Sequence, residues 1–357
     1  MSSIWFSRYE NEFFRQYSER DLADSVDRWL NGTGHLGRIV HHYFDRLMYK
    51  CRNSKRRVYG EDYGLPADAT ILDALQNDAF LDTVFKFIYT HPKMFYASKS
   101  AKPVLKTSQD TDFTKDDFDR MKLYFRMGPD ARKVSAFPPK NVKQLIVRLF
   151  PDRLINEPLN YHDPSCGFGT RAAAGLLQGC SYYGTDPNRE LCGKIEEMIA
   201  FLRKVTPGLP KSDIRCQGSE VFIPEWEGIM DLSFTSPPYF NLEVYSADGY
   251  ASTRNYSDYE KWLEEFLYPS IRNSMAYLKP DGYFCLNIKN LPGGGKPIWD
   301  DAFKFVEQAE NFEMLEPIDF VPESKRAYVV TRKDGVSFVS GDNKDAKEQI
   351  MVARKKA

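Results

Sequence analysis

The sequence predicts an α/β chain: a nucleotide-binding type of sheet with helices on both faces, preceded by a mainly helical N-terminal region. Three observations carry this. A strand–glycine loop–helix–strand–acid order runs from Asn160 to Asp186, the pattern of a nucleotide-binding βαβ unit. An apolar segment, Ile229 to Phe234, ends in Thr235-Ser236-Pro237-Pro238-Tyr239. Two successive prolines lack N–H groups and hold φ at about −65°, so they stop a strand rather than sit inside one. Residues 1–50 alternate aromatic and charged positions at helical spacing: Trp5, Tyr9, Phe13, Tyr17, then Trp29, Leu36, Tyr43, Leu47.

A chain of 357 residues suits one large or two modest domains. The change of texture near Ser135 divides it into residues 1–130, mainly helical, and residues 131–357. With 49 basic against 50 acidic residues there is no global field for nucleic acid, so any such surface is local. The six cysteines (51, 166, 180, 192, 216, 285) form no C-x-x-C pair and read as thiols of a reducing compartment. The first residues, MSSIWFSRYENEFF, contain no apolar h-region, and nowhere do 18 apolar residues run together. A soluble, cytoplasmic chain with no membrane partner and no metal site is the expectation.

Along the N-terminal part, Arg38, Arg46, Lys50, Arg52, Lys55, Arg56 and Arg57 stand against Asp45 alone, interleaved with Tyr43, Tyr49, Tyr59 and the pair His41-His42. Such a patch can hold phosphates and is the candidate DNA contact; a solvated basic helix face is the plainer alternative. Glu61 to Ala67 reads as a loop and Ile71 to Tyr89 as an apolar helix. Pro92 to Asp117, with Lys93, Lys99, Lys102 and Lys106, reads as a long linker that orders on a partner.

The α/β part opens at Ser135-Ala136-Phe137-Pro138-Pro139-Lys140, where proline enters a helix spanning Asn141 to Phe150. A short strand then leads into Asp163-Pro164-Ser165-Cys166-Gly167-Phe168-Gly169-Thr170, followed by a helix and a strand ending at Asp186. The glycines let the backbone approach a ligand, and Asp186 would accept from ribose hydroxyls. Gly167-x-Gly169-x-x-Ala172 also fits the dinucleotide fingerprint, a weak signal by itself. Asp163 discriminates: its carboxylate would repel a pyrophosphate and attract a cationic amino group. A third strand and turn follow over Asp213–Ser219; Ser219 or Gln217 there could reach an adenine, with ordinary turn chemistry the equal alternative. After the Ser-Pro-Pro-Tyr corner come a polar aromatic loop from Phe240 to Tyr256, a helix from Tyr259 to Tyr277 and a turn at Leu278–Gly282. A strand from Tyr283, a loop over Leu291–Pro297, a helix from Asp300 and strands near Phe312–Phe320, Lys325–Thr331 and Gln349–Arg354 close the sheet.

The corner itself suits a planar base bearing an exocyclic amino group. Ser236 and a proline carbonyl can accept its two N–H protons while Tyr239 stacks on the ring.

Taken together, DPSCGFGT, YYGTDPN, TSPPY and SAFPPKNVKQLI resemble the S-adenosylmethionine-dependent amino-methyltransferases of DNA, over about residues 135–357. The resemblance implies a Rossmann-like methyltransferase sheet and S-adenosylmethionine as cofactor. It implies cofactor contacts from Phe137, Asp163, Pro164, Ser165, Cys166, Gly167, Gly169, Thr170, Asp186, Ser219 and Thr235, and catalysis by Ser236, Pro237, Pro238 and Tyr239. Serine at the first tetrad position leans toward N4 of cytosine, with N6 of adenine the alternative. Double-stranded DNA with the target base flipped is the implied partner, with a homodimer or a cognate restriction nuclease as further ones, in a bacterial or phage-infected cell. Two departures stand out: the cofactor loop precedes the tetrad, and no recognition domain follows the fold. Sequence reading then falls to the N-terminal 130 residues or to the loop Phe240–Tyr256. RNA guanine-N2 and protein glutamine methyltransferases carry related tetrads. A catalytically silent DNA-binding protein and a hydride-transferring enzyme are further alternatives; the second leaves Ser-Pro-Pro-Tyr unexplained.

Overall fold

The computed structural model describes residues 3–14, 16–53, 63–65, 69–96, 104–127, 134, 136–151, 158–240, 243–244, 256, 258–291, 295–320, 328–331, 337–340 and 348–357. A seven-stranded sheet organises them. In chain order its strands are β2 (Leu159–Asp163), β3 (Cys180–Thr185), β4 (Ser212–Arg215), β5 (Met230–Thr235), β7 (Leu278–Leu286), β8 (Phe312–Phe320) and β11 (Glu348–Lys355). Their spatial order is β4-β3-β2-β5-β7-β11-β8. The first five are mutually parallel, and β11 runs antiparallel between β7 and β8. Chain direction across the sheet reverses between β2 and β5, the switch point at whose carboxyl edge open α/β sheets bind ligands. This is the expected α/β class, a Rossmann-like sheet with a helical N-terminal region.

Helices cover both faces for local reasons. α8 (Pro139–Leu149) starts on a proline that has no N–H to leave unsatisfied. α9 (Thr170–Leu177) starts from Gly169 in the left-handed conformation and is buried throughout. α10 (Arg189–Val205) is capped by the Asn188 side chain, with Glu190 in its first turn and Arg203 and Lys204 in its last, as the helix dipole favours.

The helical part divides its packing. α2 (Glu19–Leu30) and α3 (Gly37–Tyr49) join the core of the sheet through Trp29, Ile39 and Phe44. The rings of Phe44 and Phe168 meet edge-on at 6.4 Å. α1 (Ile4–Phe13), α4 (Ile71–Ala74), α5 (Asp78–Thr90), α6 (Pro92–Phe95) and α7 (Lys115–Met127) form a separate aromatic core around Trp5, Phe13, Phe80 and Phe125.

Three expectations need correction. The single helix over Ile71–Tyr89 is two, because Asn77 turns inward to cap α5, accepting from the Phe80 N–H. The linker over Pro92–Asp117 is largely tied down without a partner, residues 97–103 lying outside the described set. Phe95 and Phe118 are buried, the Ser108 N–H donates to Asp82, and Lys106 reaches Asp112 over the Phe113 ring. The turn at Leu278–Gly282 is a bulge inside β7, with Asp281 at φ 64° opposite the register shift between Met230 and Leu232. The loop Phe240–Tyr256 falls mostly outside the described residues; within it β6 (Glu243–Val244) pairs antiparallel with β1 (Arg52–Asn53).

Candidate active site

Two chain segments meet at the switch point. β2 ends on Asp163 and turns into the glycine loop, while the neighbouring β5 ends on Thr235 and turns into Ser236-Pro237-Pro238-Tyr239. The Thr235 hydroxyl donates to Asp163 Oδ1 at 3.0 Å, so one hydrogen bond joins the two predicted loops. Pro237 is buried, whereas Ser236, Pro238 and Tyr239 are half-buried. Tyr239 is aimed by its hydroxyl, which donates to the Asn287 carbonyl at 3.3 Å. Asn287 in turn donates its N–H to the Thr235 carbonyl at 2.9 Å. The corner thus hangs on the end of β7. Phe240 closes it at φ 45°, a conformation rare for a side-chain-bearing residue.

Asp163 is fully buried and fully engaged. Its oxygens take the Arg171 guanidinium at 2.8 and 3.2 Å, the Tyr182 hydroxyl at 2.7 Å, the Ser165 N–H at 3.2 Å and the Thr235 hydroxyl. Arg171 also reaches the Ser165 carbonyl and lies 5.6 Å from the Phe137 ring, which itself meets Phe234 at 5.4 Å. Beside the Asp163 carboxylate the guanidinium is held above its usual range against the opposing effect of burial. The charge expected to attract a cationic amine is therefore answered inside the protein, and Asp163 acts as the knot of the loop.

Asp186, beside it, forms no ion pair among the described residues. It accepts from the Gly167 N–H and the Asn188 N–H, each at 3.0 Å, and burial pushes its pKa up to about 6. Gly167, at φ 53°, has open space where a side chain would point. Gly169, at φ 62°, has none: a Cβ would come within 2.9 Å of Phe44 and 3.0 Å of Met198. One glycine leaves the loop open toward a ligand, and the other seats it against α3 and α10.

The remaining expected cofactor residues are structural neighbours of this loop. Pro164 accepts from the Thr185 hydroxyl at 3.0 Å, the Cys166 N–H donates to the Thr185 carbonyl at 2.9 Å, and Thr170 is buried in the first turn of α9. Burial pushes the Cys166 thiol up, which disfavours a thiolate. Ser219 is occupied elsewhere, its hydroxyl against Ser270 at 2.7 Å and its carbonyl accepting from Asn273.

Three residues of the basic patch meet carboxylates of other helices. Arg38 faces Asp24 at 3.4 Å, Arg46 faces Glu10 at 2.6 Å and Lys50 faces Glu190 at 2.7 Å. Arg52 pairs through its backbone with Val244. Lys55, Arg56 and Arg57 lie outside the described residues. Among the described residues no His, Cys, Asp and Glu cluster could hold a metal, and no helix is long and apolar enough to cross a membrane. Arg171, Tyr182 and Asn287 were not singled out from the sequence. Arg171 alone carried a signal, as the one charge in the otherwise apolar helix RAAAGLL.

A glycine loop and a proline-closed corner thus stand side by side at the switch point of this sheet. Residues 230–357, which include the tetrad, match the family model N6_N4_Mtase, described as DNA methylase, in line with the resemblance to amino-methyltransferases. No curated protein matches the chain. Solved structures similar to it include TrmN from Thermus thermophilus, at 15% identity over 62% of this chain and 50% of that one, TM-score 0.39. A SAM-dependent O-methyltransferase from Thermotoga maritima aligns at 13% identity over 63% of this chain and 68% of that one, TM-score 0.38. Magnesium protoporphyrin IX methyltransferase from Synechocystis PCC 6803, solved with bound SAM, aligns at 10% identity over 76% of this chain and 97% of that one, TM-score 0.37.

The residues fit the cofactor that the sequence resemblance implies, S-adenosylmethionine. The open face of Gly167, the Asp186 carboxylate and the half-buried Phe137 ring lie around one loop, a set suited to a ligand with ribose hydroxyls and a cationic end.

Proposed function

We propose that the chain is a DNA methyltransferase that modifies the exocyclic amino group of a flipped base, N4 of cytosine in preference to N6 of adenine. The observation that carries it is the Thr235–Asp163 hydrogen bond, which ties the Ser-Pro-Pro-Tyr corner to the glycine loop across one strand pair. When bound, S-adenosylmethionine supplies an electrophilic methyl group. Gly167, Asp186 and Phe137 would hold it, with Asp163, Ser165, Cys166, Gly169, Thr170 and Thr235 keeping the loop in shape.

The chain's own part is to present the amine. An amino nitrogen conjugated to a base ring is a poor nucleophile, because its lone pair is delocalised. Ser236 Oγ and the Pro237 carbonyl would accept its two N–H bonds and turn them out of the ring plane, freeing the lone pair. Pro238 stiffens the corner and Tyr239 would stack on the flipped base. Fixed dipoles and alignment supply the rate gain, so no strong base is needed. Buried thiols also leave a covalent route by cysteine without its thiolate.

Residues 131–357 would form the methyltransferase domain, with residues 1–130 contributing to the DNA surface. Such an enzyme would work on double-stranded DNA in the cytoplasm of a bacterial or phage-infected cell, as a homodimer or beside a restriction nuclease. The preference for cytosine rests on serine at position 236. Mass analysis of digested genomic DNA from expressing cells tests the reading: N4-methylcytosine is expected, N6-methyladenine changes the base, and neither overturns the assignment. Ser236→Ala should keep S-adenosylhomocysteine binding while methyl transfer falls by a factor on the order of 10²–10³.

A further inference from the structure

Among the described residues only Phe240 and Asp281 carry a side chain at positive φ. Asp281 sits in the bulge of β7, and aspartate tolerates the left-handed region. A bulky aromatic residue does so only under strain, whereas glycine would take the same backbone freely. The Phe240 ring therefore does something that glycine could not.

That ring is 7% exposed and lies 5.4 Å from the Tyr259 ring and 5.7 Å from that of Trp262. Both partners stand on the short helix Tyr259–Trp262, stacked on each other at 6.0 Å. The socket is itself held from behind. The Tyr259 hydroxyl donates to Asp301 at 2.7 Å, the Lys296 ammonium lies 4.7 Å from the Tyr259 ring, and Trp262 is fully buried.

On the backbone side the same residue closes the Ser-Pro-Pro-Tyr corner. The Phe240 N–H donates to the Pro238 carbonyl at 3.2 Å, which makes a three-residue turn about Tyr239. The Pro238 carbonyl is thereby used. Among the described residues the Pro237 carbonyl and Ser236 Oγ make no hydrogen bond and stay open to a ligand. Asn287, just past β7, holds the Thr235 carbonyl at the start of the corner and the Tyr239 hydroxyl near its end. Phe240 ties the corner to the opposite side, the helix. Without a seated ring the backbone would relax toward negative φ, and Tyr239 and the Pro237 carbonyl would turn with it.

We propose that Phe240 is a positioning residue for methyl transfer: seated against Tyr259 and Trp262, its ring holds the left-handed backbone that aims Tyr239 and the Pro237 carbonyl. It touches no reacting atom. The inference deepens the reading of the corner given above and rests on it for the substrate. Misplacement of reacting groups by about 1 Å can cost on the order of 10²-fold in rate.

The test compares Phe240→Gly, which takes this backbone freely and leaves the socket empty, with Phe240→Leu, which bears the strain and refills part of the socket. Transfer of a tritiated methyl group from S-adenosylmethionine to DNA from cells lacking the protein gives kcat and KM. S-adenosylhomocysteine binding is the folding control. Fluorine NMR of a fluorotyrosine placed at position 239 reads the ring with no substrate present. Phe240→Gly should lower kcat on the order of 10²-fold, with KM for DNA and S-adenosylhomocysteine affinity near wild type, and should broaden or split the fluorine signal. Phe240→Leu should recover part of both. Wild-type kcat in Phe240→Gly, or an unchanged fluorine signal, makes the ring ordinary core packing and overturns the proposal. Equal losses in the two variants, or a parallel loss of S-adenosylhomocysteine binding, overturn it as well. Suppose the wild type transfers no methyl group to DNA while the fluorine signal, sharp in wild type, splits in Phe240→Gly. The DNA reading then falls and the positioning role stands.

Discussion

The edge of the sheet at the switch point and the aromatic core around Trp5 are both buried, yet they are built from opposite materials. Around Asp163 the contacts are directional, with five hydrogen bonds to one carboxylate from the glycine loop, α9, β3 and β5. Around Trp5 they are rings at 5.6 to 6.3 Å from Phe13, Phe85, Phe113 and Phe118. Among the described residues the indole N–H of Trp5 and the Tyr9 hydroxyl have no hydrogen-bond partner. Directional bonds fix where a backbone loop stands to within a rotamer, whereas ring packing tolerates exchange of shape for shape. The site is built where position matters, and the helical body where only volume does.

Removing Arg171 should test that contrast most severely. Arg171→Met leaves Asp163 buried without its cation, a change that costs about 3–5 kcal/mol. Denaturant unfolding should show that loss, and S-adenosylhomocysteine binding should fall with it. The double variant Asp163→Leu, Arg171→Met should recover much of the stability and none of the binding, because apolar groups can replace a buried pair but cannot hold the loop. Loss of stability in the double variant equal to that of the single one would break the comparison.

A subtler effect should appear in pH. Burial raises Asp186 to about 6 from an ordinary carboxylate value of 3.8. The folded chain keeps this proton longer than the unfolded one, so its contribution to stability is full below 3.8 and is lost as pH rises through 6. On the proposed reading the ionised form would hold the ribose hydroxyls. S-adenosylhomocysteine affinity should therefore strengthen as pH rises toward 6, by up to about tenfold per unit, and level off above. Asp186→Asn should flatten that profile, which calorimetric titration between pH 5 and 7.5 would read.

The two regions were not equally legible in the amino-acid sequence. Gly169 announces itself because few other residues take its backbone conformation, and Pro237 and Pro238 because they have no N–H to join a strand ladder. The succession of strand, loop and helix around them along the chain follows from the same signals. Asp163 was legible as a residue and not as a role. Its partners Arg171, Tyr182 and Thr235 come from elements 8, 19 and 72 positions away, and nothing local marks them as a set. Lys106 shows the same limit in the helical body. A lysine-rich run reads as linker until Asp112 and Phe113 are seen to hold it. The basic run from Arg38 to Arg57 shows the limit again, since charge counted along a chain ignores the acids that other helices bring to Arg38, Arg46 and Lys50.

In the aromatic core a shape-conserving change should matter less. Phe13→Leu keeps an apolar group of similar reach and should cost about 1–1.5 kcal/mol. It should leave S-adenosylhomocysteine affinity unchanged, because α1 packs on α7 and not on the glycine loop.

The smallest effect belongs to an exposed contact between the two regions, beside the buried one that Tyr49 of α3 makes with Phe13 and Phe125. Arg46 on α3 meets Glu10 on α1 at 2.6 Å, with the Arg46 side chain 57% exposed. Exposed ion pairs contribute about 0–1 kcal/mol, and salt screens them further. Arg46→Gln should therefore shift the unfolding midpoint slightly at low salt and not at all at high salt. Suppose instead that the loss were several kcal/mol and independent of salt. The two cores would then be coupled through α3 into one cooperative unit, and the division between a positioned site and a merely packed body would fail where α1 touches α3.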